Sequence, residues 1–299
     1  MKKQFDQLLE VQRQEFEKLF AHVSHEMDCL HIPAASLRLH YIRHDATGEP
    51  RVKKLAETIV DYITQYSFNL KRREGLTELQ RNQTFRQARQ LFRDTPGSGQ
   101  AGELLVYLFI EAVLGAPQIL KKMPITTNPN DERKGSDGVH MRWNESEELL
   151  EIIFAEAKIW ASFSGALTDA FNSMNSFHSS RIKEHEVNLF SNFFSELSEN
   201  LQQQVISYLD GINVEHSREI HACLIGYNWK EYDALNQIET RAALVKEFDL
   251  RYRVWAEKIM LPALEKKVGK FSHKHLAFEF FFIPFPDVAT FRKYFNEAL

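Results

Sequence analysis

The segment 149–160 (LLEIIFAEAKIW) constrains this chain most. It is an apolar run dense in Ile, Leu and Phe, the pattern of a strand covered on both faces, yet Glu156 and Lys158 are set near its end. Charges are costly in such a strand unless they are paired or bound. Side chains alternate between faces, so Leu150, Ile152, Phe154, Glu156, Lys158 and Trp160 share one face, and the acid and the amine emerge side by side. Residues 137–143 (DGVHMRW) are a second strand candidate, and 144–148 (NESEE) is polar turn material, so a hairpin is predicted. With its turn centred between Ser146 and Glu147, facing residue numbers sum to 293, and Asp137 lies opposite Glu156.

Directly opposed residues in an antiparallel pair have Cβ atoms roughly 4.5–5.5 Å apart, where like charges destabilise the sheet. A hard divalent cation offsets that repulsion: Mg²⁺ takes carboxylate oxygens and keeps positions for water and phosphate. Lys158, on the same face, is then placed to hold an attacking water or the charge of a phosphorane. The plainer alternative makes Glu156 and Lys158 a strand-end salt bridge and Asp137 a turn cap. An E-x-K triplet alone is a weak signal, and the Asp at hairpin-compatible spacing strengthens it.

Gly135-Ser136-Asp137-Gly138-Val139-His140, then Phe154-Ala155-Glu156-Ala157-Lys158-Ile159-Trp160, then Ser164-Gly165-Ala166-Leu167 with Ala170, Ser173 and Phe177 resemble the HamA proteins of bacterial Hachiman anti-phage defence. The wider frame resembles the PD-(D/E)XK nuclease superfamily, with Asp137 matching its first acid and Glu156 and Lys158 its E-x-K; Ser136 stands where that motif usually has Pro. The specific resemblance covers about residues 96–180. It implies an α/β protein with a restriction-endonuclease-like core, a mixed central sheet flanked by helices in αβββα order, acting on DNA beside a helicase subunit. In that superfamily a helix carboxylate often adds a metal contact; Glu103, at the amino end of its helix, fits best, with Glu111 the fallback. Favourable placement near the helix dipole is the competing explanation for Glu103.

The rest of the chain divides near residue 95. Residues 1–29 read as one helix, with Phe5, Leu8, Leu9, Val11, Phe16, Leu19 and Phe20 interleaved with charge. A short strand at 35–42, a turn at 45–48 and helices at about 51–66 and 77–93 make 1–95 an α-rich accessory region, with 96–299 the nuclease domain. Thr95-Pro96-Gly97-Ser98-Gly99 marks the break. An apolar helix at 100–114 ends at Gly115 as its C-cap, and 117–125 reads as the first strand. After a helix at about 165–180 come a helix at 187–209, a strand at 220–227, one or two helices over about 232–260, and a strand at 276–285. That strand places Leu276, Phe278, Phe280 and Phe282 on one face, and Asp287 caps a closing helix.

The 299 residues carry a formal net charge of −4, so contact with nucleic acid has to come from local patches. Lys71, Arg72, Arg73, Arg81, Arg86, Arg89 and Arg93 outnumber Glu74, Glu78 and Asp94, and Arg86, Arg89 and Arg93 share a helical face; a solvated exterior explains them equally well. Lys121, Lys122, Arg133 and Lys134 form a second patch, read as phosphate contacts. Cys29 and Cys223, far apart without a secretory signal, point to reduced thiols and a cytoplasmic home. No apolar run approaches the roughly 20 residues of a membrane span. His22, His25, Cys29 and His31 are close in sequence but lack a second ligand pair, His140 falls on the face opposite Asp137, and His178 and His185 read as surface residues. Trp160 reads as sealing the site's edge. No phosphate-binding G-x-x-x-x-G-K-[ST] loop, G-x-S-x-G elbow or H-E-x-x-H helix is present.

These readings converge on hydrolysis of DNA phosphodiester bonds without sequence specificity. One or two Mg²⁺ ions, or Mn²⁺, are expected on Asp137, Glu156 and the main-chain carbonyl of Ala157, with Glu103 on the second ion or an outer water. Lys158 positions the nucleophile, and the resemblance implies restraint by a partner helicase. Alternatives are a non-catalytic adaptor that binds DNA or the helicase, and a ribonuclease.

Overall fold

The computed structural model describes residues 1–29, 34–92, 99–121, 136–179, 198–209, 216–235, 238, 240–273 and 276–299. Seven strands among them, β1 (Phe20–Val23), β2 (Ala35–Ile42), β3 (Gln118–Leu120), β4 (Gly138–Asn144), β5 (Leu149–Trp160), β6 (Ser217–Asn228) and β7 (Ala277–Phe285), form one mixed sheet in the order β1-β2-β7-β6-β5-β4-β3. The central strands β2, β7, β6 and β5 are mutually parallel, while β1, β4 and β3 pair antiparallel at the flanks. Both faces of the parallel part are buried, which is why β5, β6 and β7 read as near-continuous apolar runs.

Helices cover the sheet on both sides: α1 (Lys2–Asp6), α2 (Arg13–Leu19), α3 (Val52–Asp61), α4 (Ile63–Ser67), α5 (Leu70–Arg73), α6 (Glu78–Gln90), α7 (Gln100–Phe109) and α8 (Phe163–Ser179), then further helices through the closing one, Val288–Ala298. One core packs α3, α4, α7 and the closing helix against Ile153, Ala155, Ala157 and Ile159 of β5. The opposite face buries Phe278, Phe280 and Phe282 of β7 with Ala166, Ala170 and Phe171 of α8. The predicted alternation of β7 is therefore observed, and its other residues, Phe281, Ile283 and Phe285, enter the first core. Asp287 caps the closing helix, accepting the Thr290 N–H at 2.8 Å.

From α7 onward the element order is helix, three strands, helix, and the fold is α/β. The β4–β5 hairpin has the expected register, Gly138 facing Ala155 and Asn144 facing Leu149. Asn144 closes its turn by accepting from the Ser146 and Glu147 N–H groups at 3.1 and 3.2 Å. The helix from Gln100 ends as expected at Gly115, whose φ of +64° suits glycine, but its last turn, Ile110–Leu114, is wound as a π-helix.

The single helix expected over residues 1–29 is not formed. Between α1 and α2 the Glu10 and Val11 N–H groups donate to the buried Glu111 carboxylate at 2.8 and 2.9 Å, which holds the chain out of helical geometry. Phe20 to Val23 then join the sheet as β1, with Phe20 facing Ile42. Helical spacing of apolar residues fits two short helices as well as one long one, and pairing with β2 decides the outcome. The expected helix at 187–209 is seen at Glu199–Leu209, its earlier part lying outside the described residues. Among the described residues no helix is long and apolar enough to cross a membrane.

Candidate active site

Asp137 begins the ascent into β4, and its N–H donates to the Ala155 carbonyl at 2.8 Å. Its carboxylate reaches across to β5, where Oδ2 accepts the Ala157 N–H at 2.7 Å. Glu156 is the next residue back, and Lys158 Nζ lies 2.7 Å from Glu156 Oε1. The hairpin register thus brings Asp137, Glu156 and Lys158 to one place. Glu103 joins them from α7. Gly102 makes the approach possible, since a Cβ there would stand 3.2 Å from the Ala157 Cβ. Tyr66 of α4 fixes the arrangement, its hydroxyl 3.1 Å from Glu103 Oε2 and 3.2 Å from the Asp137 carbonyl.

Three carboxylates here face one ammonium, and the protonation equilibria show the imbalance. Desolvation pushes the Asp137 carboxyl well above its ordinary range, and the negative charges of Glu156 and Glu103 push it further, against Lys158 and the Ala157 N–H. Glu156 is raised as well, by burial first, with Lys158 and the Ser173 hydroxyl only partly offsetting it and Glu103 adding to it. Burial acts to lower the Lys158 ammonium, but Glu156, then Asp137 and Asp169, outweigh it and hold the proton on. The site is deficient in positive charge.

Hard oxygen donors short of a cation suit a hard divalent metal. In an antiparallel pair a residue's N–H and C=O address the same neighbour. The Ala157 N–H is directed to Asp137, so its carbonyl is directed to the same edge and could serve as a further oxygen donor. Among the described residues no group of three or more His, Cys, Asp or Glu side chains is gathered closely enough to hold a metal by itself. Asp137, Glu156 and the Ala157 carbonyl could hold a divalent ion only with water completing its shell, and Mg²⁺ is an ion that usually retains several waters.

Glu111 does not reach the site. It accepts from the Glu10, Val11 and Gln118 N–H groups, and burial pushes it up to about 7. Of the two helix carboxylates, Glu103 is the one beside Asp137. His140 is structural as expected, a ring nitrogen 2.9 Å from the Ala116 carbonyl and its pKa lowered to about 3 by burial.

A cavity of about 390 Å³ opens from Glu156 and Lys158 along α8, lined by Asp169, Asn172, Ser173 and Ser176. These polar residues recur at helical spacing and carried a legible signal in the sequence, a polar stripe directly after E-x-K that was not singled out as a site. Tyr66 carried no such signal, because only folding brings it to Asp137.

The basic patches separate on inspection. Lys121, expected at phosphate, is buried instead, its Nζ 2.7 Å from the Gln65 carbonyl and 3.5 Å from Glu10 Oε2, because the ammonium answers the carboxylate buried next to it. Lys122, Arg133, Lys134 and Arg93 lie outside the described residues. Arg73 pairs with Glu10 and Arg72 covers Phe68 at 3.9 Å, whereas Arg81, Arg86 and Arg89 are exposed. His178, expected at the surface, is partly buried with Nε2 2.7 Å from His221 Nε2; His185 and His31 fall outside the described residues.

No curated protein matches the chain. The HamA family model matches residues 17–299, which spans the sheet, the Asp137–Glu156–Lys158 cluster and the helices around it, and the protein belongs to the HamA family.

Proposed function

We propose that this protein is a metal-dependent, sequence-nonspecific deoxyribonuclease with a PD-(D/E)XK core, held in check by a helicase partner. Membership of the HamA family implies a role in Hachiman anti-phage defence. The observation that carries the nuclease reading is the convergence of Asp137, Glu156 and Lys158 at the open end of the β4–β5 hairpin, with acid in excess. The helix–three strands–helix order around that hairpin supports the superfamily assignment. In this reading residues 96–299 carry the chemistry, and residues 1–95 are an accessory region that braces it through Tyr66.

Asp137, Glu156 and the Ala157 carbonyl would hold one or two Mg²⁺ ions, with Mn²⁺ an alternative and Glu103 on the second ion or its outer water. Bound there, the metal lowers the pKa of a coordinated water and shields the phosphate. The Lys158 ammonium, kept protonated by its acidic neighbours, orients the attacking water and stands beside the charge that builds on phosphorus. Tyr66 holds Glu103 in place, so α7 and β5 keep their spacing as charge changes. A cation held by the Glu156 oxygens would release Lys158 Nζ from its pairing with Glu156, leaving the ammonium available to the substrate. The net charge of −4 suits docking on a more basic partner.

Incubation of the purified protein with plasmid DNA and with RNA in Mg²⁺ tests the reading. Cleavage of DNA that Glu156→Ala and Lys158→Ala abolish is expected. Phage defence that survives both substitutions would point to the adaptor role, and cleavage of RNA alone to the ribonuclease.

A further inference from the structure

Beyond the cluster itself, the end of β5 presents an aromatic ring to solvent. Trp160 lies two residues past Lys158, about 7 Å along the strand, and is 43% exposed, unusual for a large apolar side chain beside a polar site. Arg292, from the closing helix, places its guanidinium 5.6 Å from the Trp160 ring centroid and is fixed there by donating to the Ile159 carbonyl at 2.6 Å. One helical turn further on, Asn296 lines a groove of about 410 Å³ with Arg86, Arg89 and Phe92. Arg86 and Arg89 are exposed and make no ion pair with a described residue. The Phe92 ring stands 6.2 Å from that of Tyr66, the residue that touches Asp137.

We infer that Trp160, Arg292, Asn296, Arg89 and Arg86 form a track for one strand of DNA leaving the catalytic cluster, a base stacking on Trp160 and phosphates following the arginines. The inference rests on the nuclease reading of the Asp137 site and adds the form of its substrate. Three guanidinium groups in a row within a chain of net charge −4 are the local positive field that a phosphodiester backbone needs. An exposed indole flanked by a guanidinium is a stacking platform, and its face is open only to a base that is not paired. The track therefore selects single-stranded DNA over duplex.

The test is binding of a labelled single-stranded oligodeoxynucleotide to the full chain in chelator, where cleavage plays no part, over a series of salt concentrations. Trp160→Ala is expected to weaken binding roughly 5- to 150-fold, the range for loss of one stacked base, while Trp160→Phe keeps most of the affinity. Arg86→Gln with Arg89→Gln is expected to lower the slope of log affinity against log salt by about 1.4, two phosphate contacts on a single strand. Duplex of the same sequence should bind more weakly and be indifferent to Trp160→Ala. Wild-type affinity and slope in all three variants overturns the track, as does absence of binding by the wild type or equal loss for duplex. Glu156→Ala, followed for cleavage in Mg²⁺ beside this binding assay, separates the two readings. If it abolishes cleavage while Trp160→Ala binds normally, the track alone is wrong; if it still cleaves while Trp160→Ala binds poorly, the catalytic assignment alone is wrong.

Discussion

Strand β5 carries a buried acid at each end, and the two are handled in opposite ways. Glu151, wholly buried, sits between Arg142 of β4 and Arg218 of β6, both in register with it and both paired to its carboxylate, with Asn144 Nδ2 donating at 3.0 Å. Burial acts to raise Glu151, but Arg218, Arg142 and Asn144 outweigh it and hold the carboxyl below its usual range. Glu156, five residues on, is raised first by burial and then by Glu103, with the Lys158 ammonium and the Ser173 hydroxyl only partly offsetting them. A buried acid with cations to spare is scaffold. One with too few is left short of a cation, and on the proposed function a divalent metal would supply it.

The comparison breaks most severely at Glu151. Glu151→Gln leaves two guanidinium groups without their shared partner and is expected to cost about 3 kcal/mol, the low end for a broken buried pair because both arginines keep some water; denaturant unfolding measures it. Glu156→Gln is expected to change stability by less than about 1 kcal/mol, since removing repulsion from Asp137 offsets the weaker bond to Lys158, yet to lower cleavage about 10²–10³-fold. A stability loss at Glu156 equal to that at Glu151 would erase the distinction.

Cation binding sharpens it further. Mg²⁺ at about 100 times its dissociation constant should stabilise the wild type by about 2.7 kcal/mol in a thermal melt, leave that gain intact in Asn144→Ala, and give nothing in Glu156→Gln. The pH dependence has opposite signs at the two ends. Glu156 and Asp137 are raised, so their contribution is fully present below their ordinary values of 4.5 and 3.8 and is lost as pH climbs through the folded values. Glu151 is lowered, so its contribution is present above 4.5 and lost as pH falls through its folded value. Glu151→Gln should therefore cost less in acid than at neutrality, and Glu156→Gln should gain stability relative to wild type as pH rises. Asn144→Ala is expected to cost about 1 kcal/mol in denaturant unfolding and to leave cleavage unchanged, because Arg142 and Arg218 remain on Glu151.

Much of the site was legible before folding because it is local. A four-residue turn fixes which residues face each other, so one register sets Asp137 across from Glu156 and pairs Arg142 with Glu151. Glu103 was legible from its place at the amino end of its helix, which favoured it over Glu111, and the approach of α7 to Ala157 at Gly102 puts it beside Asp137 while Glu111 lies under Glu10 and Val11. Lys121 misled because a basic residue near a site reads as a phosphate contact, while its burial depends on Glu10, more than a hundred residues earlier.

The sequence alone determined the alternation and double-sided burial of β5, the turn that closes the hairpin, the capped helices and the row of Phe on one face of β7, all consequences of short-range backbone geometry and the period of apolar residues. Tertiary structure decided that β6 lies parallel to β5 and supplies Arg218, that Phe20 to Val23 become an edge strand, and that Tyr66 locks Glu103 to the site. Those contacts join segments separated by long stretches of chain, and each is selected by which buried charges and apolar faces remain to be satisfied once the local elements have formed.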